Sequence, residues 1–225
     1  MNPARKSAFR YAFRGLAGLC AIGLLAACGK PEPAQTAAGA APQTPSPCVL
    51  PHMAPNAEFS ENDSQLFAAA VAGDVRAAAQ AIEQGANVNA AGALKRTPLF
   101  AAAFCDRPEM VKLLLEKGGK HDATDANGMP PLHAAVLVGG TETAKALLAN
   151  GANISGKDAA GRTALHVAAA TNQMPMVELL LAAKANTTAR DKHGMTAAAL
   201  ATDNGHSTPA SAIKKWQEQH KAPRP

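Results

Sequence analysis

The sequence is poor in aromatic residues: its 225 residues include one Trp, one Tyr and six Phe. A core with so few aromatic anchors must be built from alanine, leucine and valine. Common catalytic motifs are absent too, among them G-x-S-x-G, H-E-x-x-H and a clustered Ser/Lys pair. Its histidines and cysteines form no close ligand cluster such as C-x-x-C. We therefore expect a protein that is not an enzyme and that holds no metal or cofactor.

Positive charge is concentrated at the N-terminus. The formal net charge is +5, but the first 27 residues contain no acid and four bases, Arg5, Lys6, Arg10 and Arg14. Only about +1 remains for residues 28–225. No Lys/Arg run interleaved with aromatic residues occurs elsewhere, so we do not expect nucleic-acid binding.

An apolar run, GLAGLCAIGLLAA, follows these bases and ends at Ala27. It is too short to span a bilayer, which takes about 20 residues, but it suits the apolar part of an export signal. The run ends in Leu25-Ala26-Ala27, and together with Cys28 these residues resemble the lipobox of bacterial lipoproteins. That resemblance implies that residues 1–27 are a signal peptide and that Cys28 carries acyl chains such as palmitate, which anchor it to a membrane. The alternative is an ordinary cleaved signal with a chance cysteine.

The same resemblance bears on localisation and on cysteine use. By that family's sorting rule, Gly29 after the cysteine implies the outer membrane, with the protein facing the periplasm. Once Cys20 is cleaved off and Cys28 is lipidated, Cys48 and Cys105 remain. They could pair in an oxidising compartment. The alternative, which we favour from sequence, is a linker thiol and a small buried helix residue.

Residues 28–60 differ in composition from the rest of the chain. Seven prolines fall between Gly29 and Ser60, among Ala, Gln, Thr and Gly. Such a composition excludes both helix and sheet, and it predicts a disordered Pro/Ala-rich tether. A tether of this kind lets a folded domain stand clear of a membrane surface.

The segment GANISGKD, from Gly151 to Asp158, contains most of a phosphate-binding loop, G-x-x-x-x-G-K-[ST]. Asp158 stands where the motif needs Ser or Thr, and the segment follows a helical pattern where the motif follows a strand. Similar segments also recur every 33 residues: GANVNA at 85–90, GGKHDA at 118–123, GANISG at 151–156 and KANTTA at 184–189. We therefore interpret it as a connector between repeats and expect no nucleotide site.

Helix-start motifs follow the same period. They read TPLFAA at 97–102, PPLHAA at 130–135, TALHVA at 163–168 and TAAALA at 196–201, and SQLFAA at 64–69 opens a divergent first unit. Second helices repeat as well, with Leu114, Leu147 and Leu180 in register. A period of 33 with T-P-L-H-x-A resembles the ankyrin-repeat family. The resemblance implies an all-α solenoid of about five helix-turn-helix units over residues 61–225, monomeric and built to bind proteins.

Three residues depart from the motif. Pro130 replaces the capping Thr, Phe100 replaces the motif's His, and Lys184 stands where a helix-ending Gly is expected. His133 and His166 keep the motif, and their spacing invites a metal site. The family resemblance instead implies structural hydrogen bonds to neighbouring loops, and we favour that interpretation.

Partners of ankyrin-like folds usually bind the concave side, which is made of hairpin tips and first helices. The residue before each helix-start motif lies on that side, and arginine and methionine alternate there. Arginine recognises carboxylates with two parallel hydrogen bonds, and methionine adapts to irregular surfaces. The predicted partner-binding residues are Arg96, Met129, Arg162 and Met195, with Asn127, Lys192 and His193 at nearby tips.

The sequence thus predicts a non-catalytic, envelope-anchored lipoprotein that binds a protein partner as a periplasmic adaptor or stabiliser. An alternative is an immunity or inhibitor protein against a periplasmic toxin or degradative enzyme. A third hypothesis is an oxidative-stress role that uses Cys48 and Cys105.

Overall fold

The computed structural model describes residues 59–220, which belong to one compact unit. Cys28, Cys48, the predicted signal peptide and most of the predicted tether lie outside these residues. Within them the chain is entirely helical, as predicted, with no β-strand and five consecutive helix pairs. The pairs are α1 (Glu61–Ala72) and α2 (Val75–Glu83), α3 (Pro98–Phe104) and α4 (Pro108–Glu116), α5 (Pro131–Val138) and α6 (Thr141–Ala149), α7 (Ala164–Ala170) and α8 (Met174–Ala182), and α9 (Ala197–Asp203) and α10 (Ser207–Gln219).

The helices stack in two layers. Each first helix packs on the first helix of the next pair, from α1 through α3, α5 and α7 to α9. The second helices form a parallel series from α2 to α10. Because each pair packs mainly on its neighbours in the chain, the five pairs form a solenoid.

Two rows of residues at 33-residue spacing fill the core between the layers. Leu66, Leu99, Leu132 and Leu165 from the first helices are at most 1% exposed, and Leu114, Leu147, Leu180 and Ile213 from the second helices are fully buried. Alanine lies beside the first row, at 69, 102, 135, 168 and 201, and is at most 5% exposed. These small side chains let the helices approach closely, and only Phe67 and Phe100 are buried aromatic residues among residues 59–220, so the predicted Ala/Leu core is confirmed.

The first helices α3, α5, α7 and α9 begin as their motifs predict, whereas α1 begins at Glu61, three residues before SQLFAA, with Ser60 as its N-cap. Thr97 and Thr196 are N-caps, and their hydroxyls accept the N–H of Phe100 at 3.2 Å and of Ala199 at 3.3 Å. Pro98 and Pro131 occupy the first turns of α3 and α5, where a proline costs no hydrogen bond. The start of each repeat is therefore determined locally.

The second helices end at a left-handed residue. Gly151 has φ of +85° just after α6, and Lys184 adopts φ of +61° at the equivalent place after α8. GANISGKD therefore leaves a helix instead of opening one, which differs from a phosphate-binding loop. In the part of the chain that the structure describes, no helix has the length and apolar character needed to cross a membrane.

Candidate functional site: the hairpin edge

Four hairpins connect successive repeats and lie side by side. They comprise residues 92–96, 125–129, 158–162 and 191–195, and we call the surface that they and their flanking residues form the hairpin edge. Backbone hydrogen bonds join neighbouring tips: Ala126 N–H donates to Leu94 O at 2.7 Å, Ala159 N–H to Asn127 O at 3.1 Å, and Lys192 N–H to Ala160 O at 3.0 Å. The tips thus form one continuous surface across the repeats.

An aspartate organises each of the last three hairpins. Asp125, Asp158 and Asp191 each accept two backbone N–H groups, those of the residues two and four positions further on, at 2.8 to 3.0 Å. The first two are nearly buried, at 4% and 8% exposure. Their negative charges therefore point into the turns and leave little acidic surface on the edge.

The first hairpin lacks this arrangement. Gly92 occupies the position of the aspartate, and Lys95 occupies the position where the other hairpins have a left-handed glycine. Leu94 and Lys95 have φ of +57° and +56°, a region that costs non-glycine residues about 1–2 kcal/mol. Leu94 is also 42% exposed. The first hairpin is therefore the strained end of the edge, where the exposed Leu94 lies beside the exposed Lys95.

Arg162, a predicted partner-binding residue, already has a carboxylate partner. Its Nε and Nη2 lie 2.8 Å and 2.7 Å from Asp158 Oδ2. Burial raises the pKa of Asp158, but hydrogen bonds from Arg162 and Ala160 and the charge of Arg162 outweigh burial and hold that pKa below its ordinary value. The Arg162 side chain is 35% exposed, so it presents a partly neutralised surface.

The side chain of Arg96 is more deeply buried than that of Arg162. Its guanidinium carbon lies 5.2 Å from the centroid of the Phe100 ring, within cation–π range. Its Nε is 3.7 Å from Asp125 Oδ2 in the next hairpin, and its side chain is 15% exposed. Phe100, the residue that replaces the motif's histidine, thus forms part of the arginine's environment.

The remaining predicted residues divide into two groups. Met129 and Met195 are half-buried, and their N–H groups belong to the aspartate turns. Asn127, Lys192 and His193 are exposed at the tips. All seven residues lie on the hairpin edge, and partner binding by them stays a prediction.

Three exposed cations of the edge were missed from sequence, and one of them, Lys95, lies in the first hairpin. Lys157 precedes the third hairpin and Arg190 the fourth, one repeat apart, and both are exposed. Lys157 Nζ donates to Arg190 O at 3.0 Å, and Arg190 Nη1 donates to Gly194 O at 2.6 Å. Their 33-residue spacing was a usable signal. The prediction considered the residue before each helix-start motif, whereas Lys157 and Arg190 each lie before the aspartate of a hairpin.

His166 links the fourth repeat to the next hairpin. Its Nε2 lies 3.1 Å from Met195 O, which can only accept, so Nε2 carries the proton. Its Nδ1 then accepts from Thr163, whose N–H is 3.2 Å and whose Oγ1 is 2.9 Å away. Both ring nitrogens of a nearly buried imidazole are therefore satisfied.

His133 makes only half of this arrangement. Its Nε2 donates to Arg162 O at 2.9 Å, but its Nδ1 has no partner although the residue is fully buried. Pro130 occupies the place of Thr163 and has neither an N–H nor a hydroxyl to offer. The two bonds to neighbouring loops confirm the structural role that the family resemblance implies for both histidines.

Burial lowers the pKa of His133 and of His166, and it outweighs the opposing effects of the accepting carbonyls and of nearby aspartates. The lowered pKa favours the neutral form of both rings. Among residues 59–220, no group of three or more His, Cys, Asp or Glu side chains could hold a metal ion.

Cys105 differs from the expectation that we favoured. It is the C-cap of α3, 8% exposed, and it is disulfide-bonded. It is also the single cysteine among residues 59–220, so its partner lies outside the described residues. Interpreting it as a small buried helix residue with a thiol was wrong, because burial at this position accompanies a covalent bond.

Comparison with known proteins defines the class of the chain. Residues 66–158 and 132–214 match the family model of ankyrin repeats (3 copies). The matched residues make up more than half of the sequence, and the chain belongs to the ankyrin-repeat family. A search of curated proteins finds no match. Ankyrin repeats are protein–protein interaction modules and are typically non-catalytic.

Proposed function

We propose that this chain is a non-catalytic, lipid-anchored protein of the bacterial envelope that binds an acidic surface of a partner protein through its hairpin edge. In this role it acts as a periplasmic adaptor or stabiliser of that partner. One observation carries the proposal: on the hairpin edge the lysines and Arg190 are exposed to solvent, whereas the acids are directed into the turns and bonded to backbone N–H groups.

The segregation is clearest at the last two hairpins. Lys157, Arg190 and Lys192 are exposed, and none is ion-paired within residues 59–220. The acids of these hairpins, Asp158 and Asp191, are committed to backbone N–H groups. A partner therefore meets uncompensated positive charge here, which favours carboxylates through charge complementarity.

The second helices provide the contrast. Lys112 lies 2.8 Å from Glu109, and Lys145 lies 2.7 Å from Glu142. These exposed lysines have intramolecular partners one helical turn away, so the surface of α4 and α6 is locally balanced, whereas Lys214 and Lys215 on α10 are exposed without an ion pair among residues 59–220. The difference in charge supports binding at the hairpin edge over binding at α4 and α6.

The envelope location rests on the N-terminal sequence. The basic segment, the short apolar run and the lipobox-like Leu25–Cys28 support export and lipidation of Cys28. Mass spectrometry of the N-terminal peptide tests this part directly. The expected result is a diacylglyceryl-modified Cys28, whereas an unmodified residue, or an intact segment 1–27, contradicts it.

Affinity capture tests the binding function. The bait is the full-length protein with a C-terminal tag, recovered from detergent-solubilised envelopes of the organism that carries it. A Lys157→Glu/Lys192→Glu variant is compared with a Lys112→Glu/Lys145→Glu variant, which changes the net charge equally on the second helices. Matched helical circular dichroism establishes that both variants are folded.

We expect one partner that is recovered with the wild type and with the second-helix variant and is lost with the hairpin-edge variant. Equal recovery with all three baits contradicts binding at the edge. Recovery of no partner contradicts a resident adaptor and favours the inhibitor alternative, whose target arrives from outside. An inhibitor is further distinguished by nanomolar or tighter affinity for one enzyme and by loss of that enzyme's activity.

A further inference from the structure

The disulfide at Cys105 occurs at a position where the other repeats have less buried residues. Cys105 lies one repeat from Ala72 and Val138 and three repeats from Asn204, which are exposed, and two repeats from Thr171, which is half-buried. Cys105 itself is 8% exposed. Cys105 is therefore more buried than the equivalent residue of every other repeat that the structure describes.

We propose that this disulfide is formed with Cys48 and that it fastens the predicted tether to the second repeat. The chain has four cysteines, at 20, 28, 48 and 105. The choice among the first three rests on the proposed function, in which Cys20 leaves with the signal peptide and the Cys28 sulfur carries lipid. Cys48 is then the remaining thiol.

Chain geometry permits this bond. Cys105 is in register with Ala72, at the end of α1 opposite to Phe59, and the 12 residues of α1 span about 18 Å. Allowing about 10 Å for the step between neighbouring helices gives a separation of roughly 20 Å. From Cys48 to Phe59 the chain can reach about 36 Å when extended. The connection therefore needs no rearrangement of the repeats.

Formation of the bond requires an oxidant. The two thiols lose two protons and two electrons to an exchanging protein disulfide of the envelope, which leaves as two thiols. Such oxidants operate outside the cytoplasm. The product is an intramolecular disulfide that closes a loop between residues 48 and 105.

The bond changes how the solenoid is held. Without it, the predicted tether runs from Gly29 to Ser60 and reaches roughly 100 Å at about 3 Å per residue. With it, only residues 29–47 separate the anchor from the domain, and the reach falls to roughly 60 Å. The disulfide thus attaches the anchor to the second repeat and limits the distance at which the hairpin edge can meet a partner.

Peptide mapping tests the pairing. The full-length protein is purified from envelopes after alkylation of free thiols and is digested with pepsin at low pH, where disulfide exchange is slow. We expect a peptide pair that joins Cys48 to Cys105 and disappears on reduction. An alkylated Cys105, or a link from Cys105 to Cys20 or Cys28, overturns the proposal. Lipid on Cys28 is read from the same digest, so failure of the lipoprotein proposal is recognised separately.

Thermal unfolding provides a second readout that a purely local effect would not reproduce. Cys48→Ser, Cys105→Ser and the double variant are each expected to lower Tm by the same amount, roughly 5–12 °C, because each opens the same loop. Reduced wild type is expected to match them. A Cys48→Ser variant with unchanged Tm, or additive losses in the double variant, overturns the proposal.

Discussion

The third and fourth repeats each have a buried histidine at the same position, but the two imidazoles differ in their hydrogen bonds. His166 has partners for both ring nitrogens, whereas His133 has a partner for Nε2 alone. The cause is one residue, Thr163 against Pro130, at the start of the first helix. Repetition of a motif therefore preserves backbone geometry, while a single substitution decides whether a buried polar group is satisfied.

The two repeats also differ in the hairpins that precede them and in how their second helices end. The turn aspartate is paired with Arg162 at 2.7 Å in the fourth repeat but lies 3.7 Å from Arg96 in the third. The second helix is followed by Gly151 in the third repeat and by Lys184 in the fourth. Because the backbone fold of the two repeats is the same, each of these differences allows one contribution to stability to be measured separately: a hydrogen bond, an ion pair or a backbone conformation.

Removal of the turn aspartate is expected to have the largest effect. Asp158→Ala takes away the acceptor of two backbone N–H groups and leaves Arg162 half-buried without its carboxylate, at a cost of about 2–3 kcal/mol. Asp125→Ala should cost about 1 kcal/mol less, because Arg96 is not hydrogen-bonded to Asp125. Urea unfolding measures both, and equal losses would contradict the difference between the two ion pairs.

Exchange of the capping residues comes next in size. Pro130→Thr is expected to stabilise the protein by about 1 kcal/mol, because the threonine supplies a partner for His133 Nδ1 and caps α5. Thr163→Val should destabilise it by about 1–2 kcal/mol, because it removes the hydroxyl that bonds His166 Nδ1 and caps α7, although the backbone N–H to Nδ1 remains. The same unfolding experiment checks both signs. A neutral Pro130→Thr would show that the unpaired Nδ1 carries little cost.

Removing the backbone strain at Lys184, the left-handed residue after α8, is expected to change the stability slightly less. Lys184→Gly removes the conformational penalty at φ of +61° and should raise stability by about 1 kcal/mol, or Tm by a few degrees. Lys117→Gly serves as the control, because Lys117 caps α4 at φ of −87° and gains nothing from glycine. Similar shifts in both variants would contradict strain as the cause.

The pH dependence is expected to be the smallest effect. Burial lowers the pKa of both histidines, so below the ordinary value of about 6.5 the unfolded chain binds more protons than the folded one. Stability should therefore be complete above about pH 7 and fall as the pH drops through 6.5 towards 5. His133→Phe, which copies Phe100, should reduce that fall. An unchanged slope between pH 5 and 7 would contradict the role of His133.

Periodicity predicted most of the fold because it reports on burial. The 33-residue spacing of Leu114, Leu147 and Leu180 located the core, and the helix-start motifs located the N-caps of the later first helices but not Ser60, the N-cap of α1. The pairing of Arg162 with Asp158 was not predicted, since their four-residue separation brings them together only in the folded hairpin. Lys157 and Arg190 were missed for a related reason: whether a charge is available to a partner depends on where neighbouring acids point.

The most direct test of the account is the dissociation constant of the captured partner, measured at two salt concentrations. Lys157→Glu/Lys192→Glu is predicted to weaken binding at least about tenfold and to flatten its salt dependence, because it reverses the exposed charge of the edge. Lys112→Glu/Lys145→Glu is predicted to leave both unchanged. Equal affinity in all three proteins, or a loss confined to the second-helix variant, would contradict the hairpin edge as the binding surface.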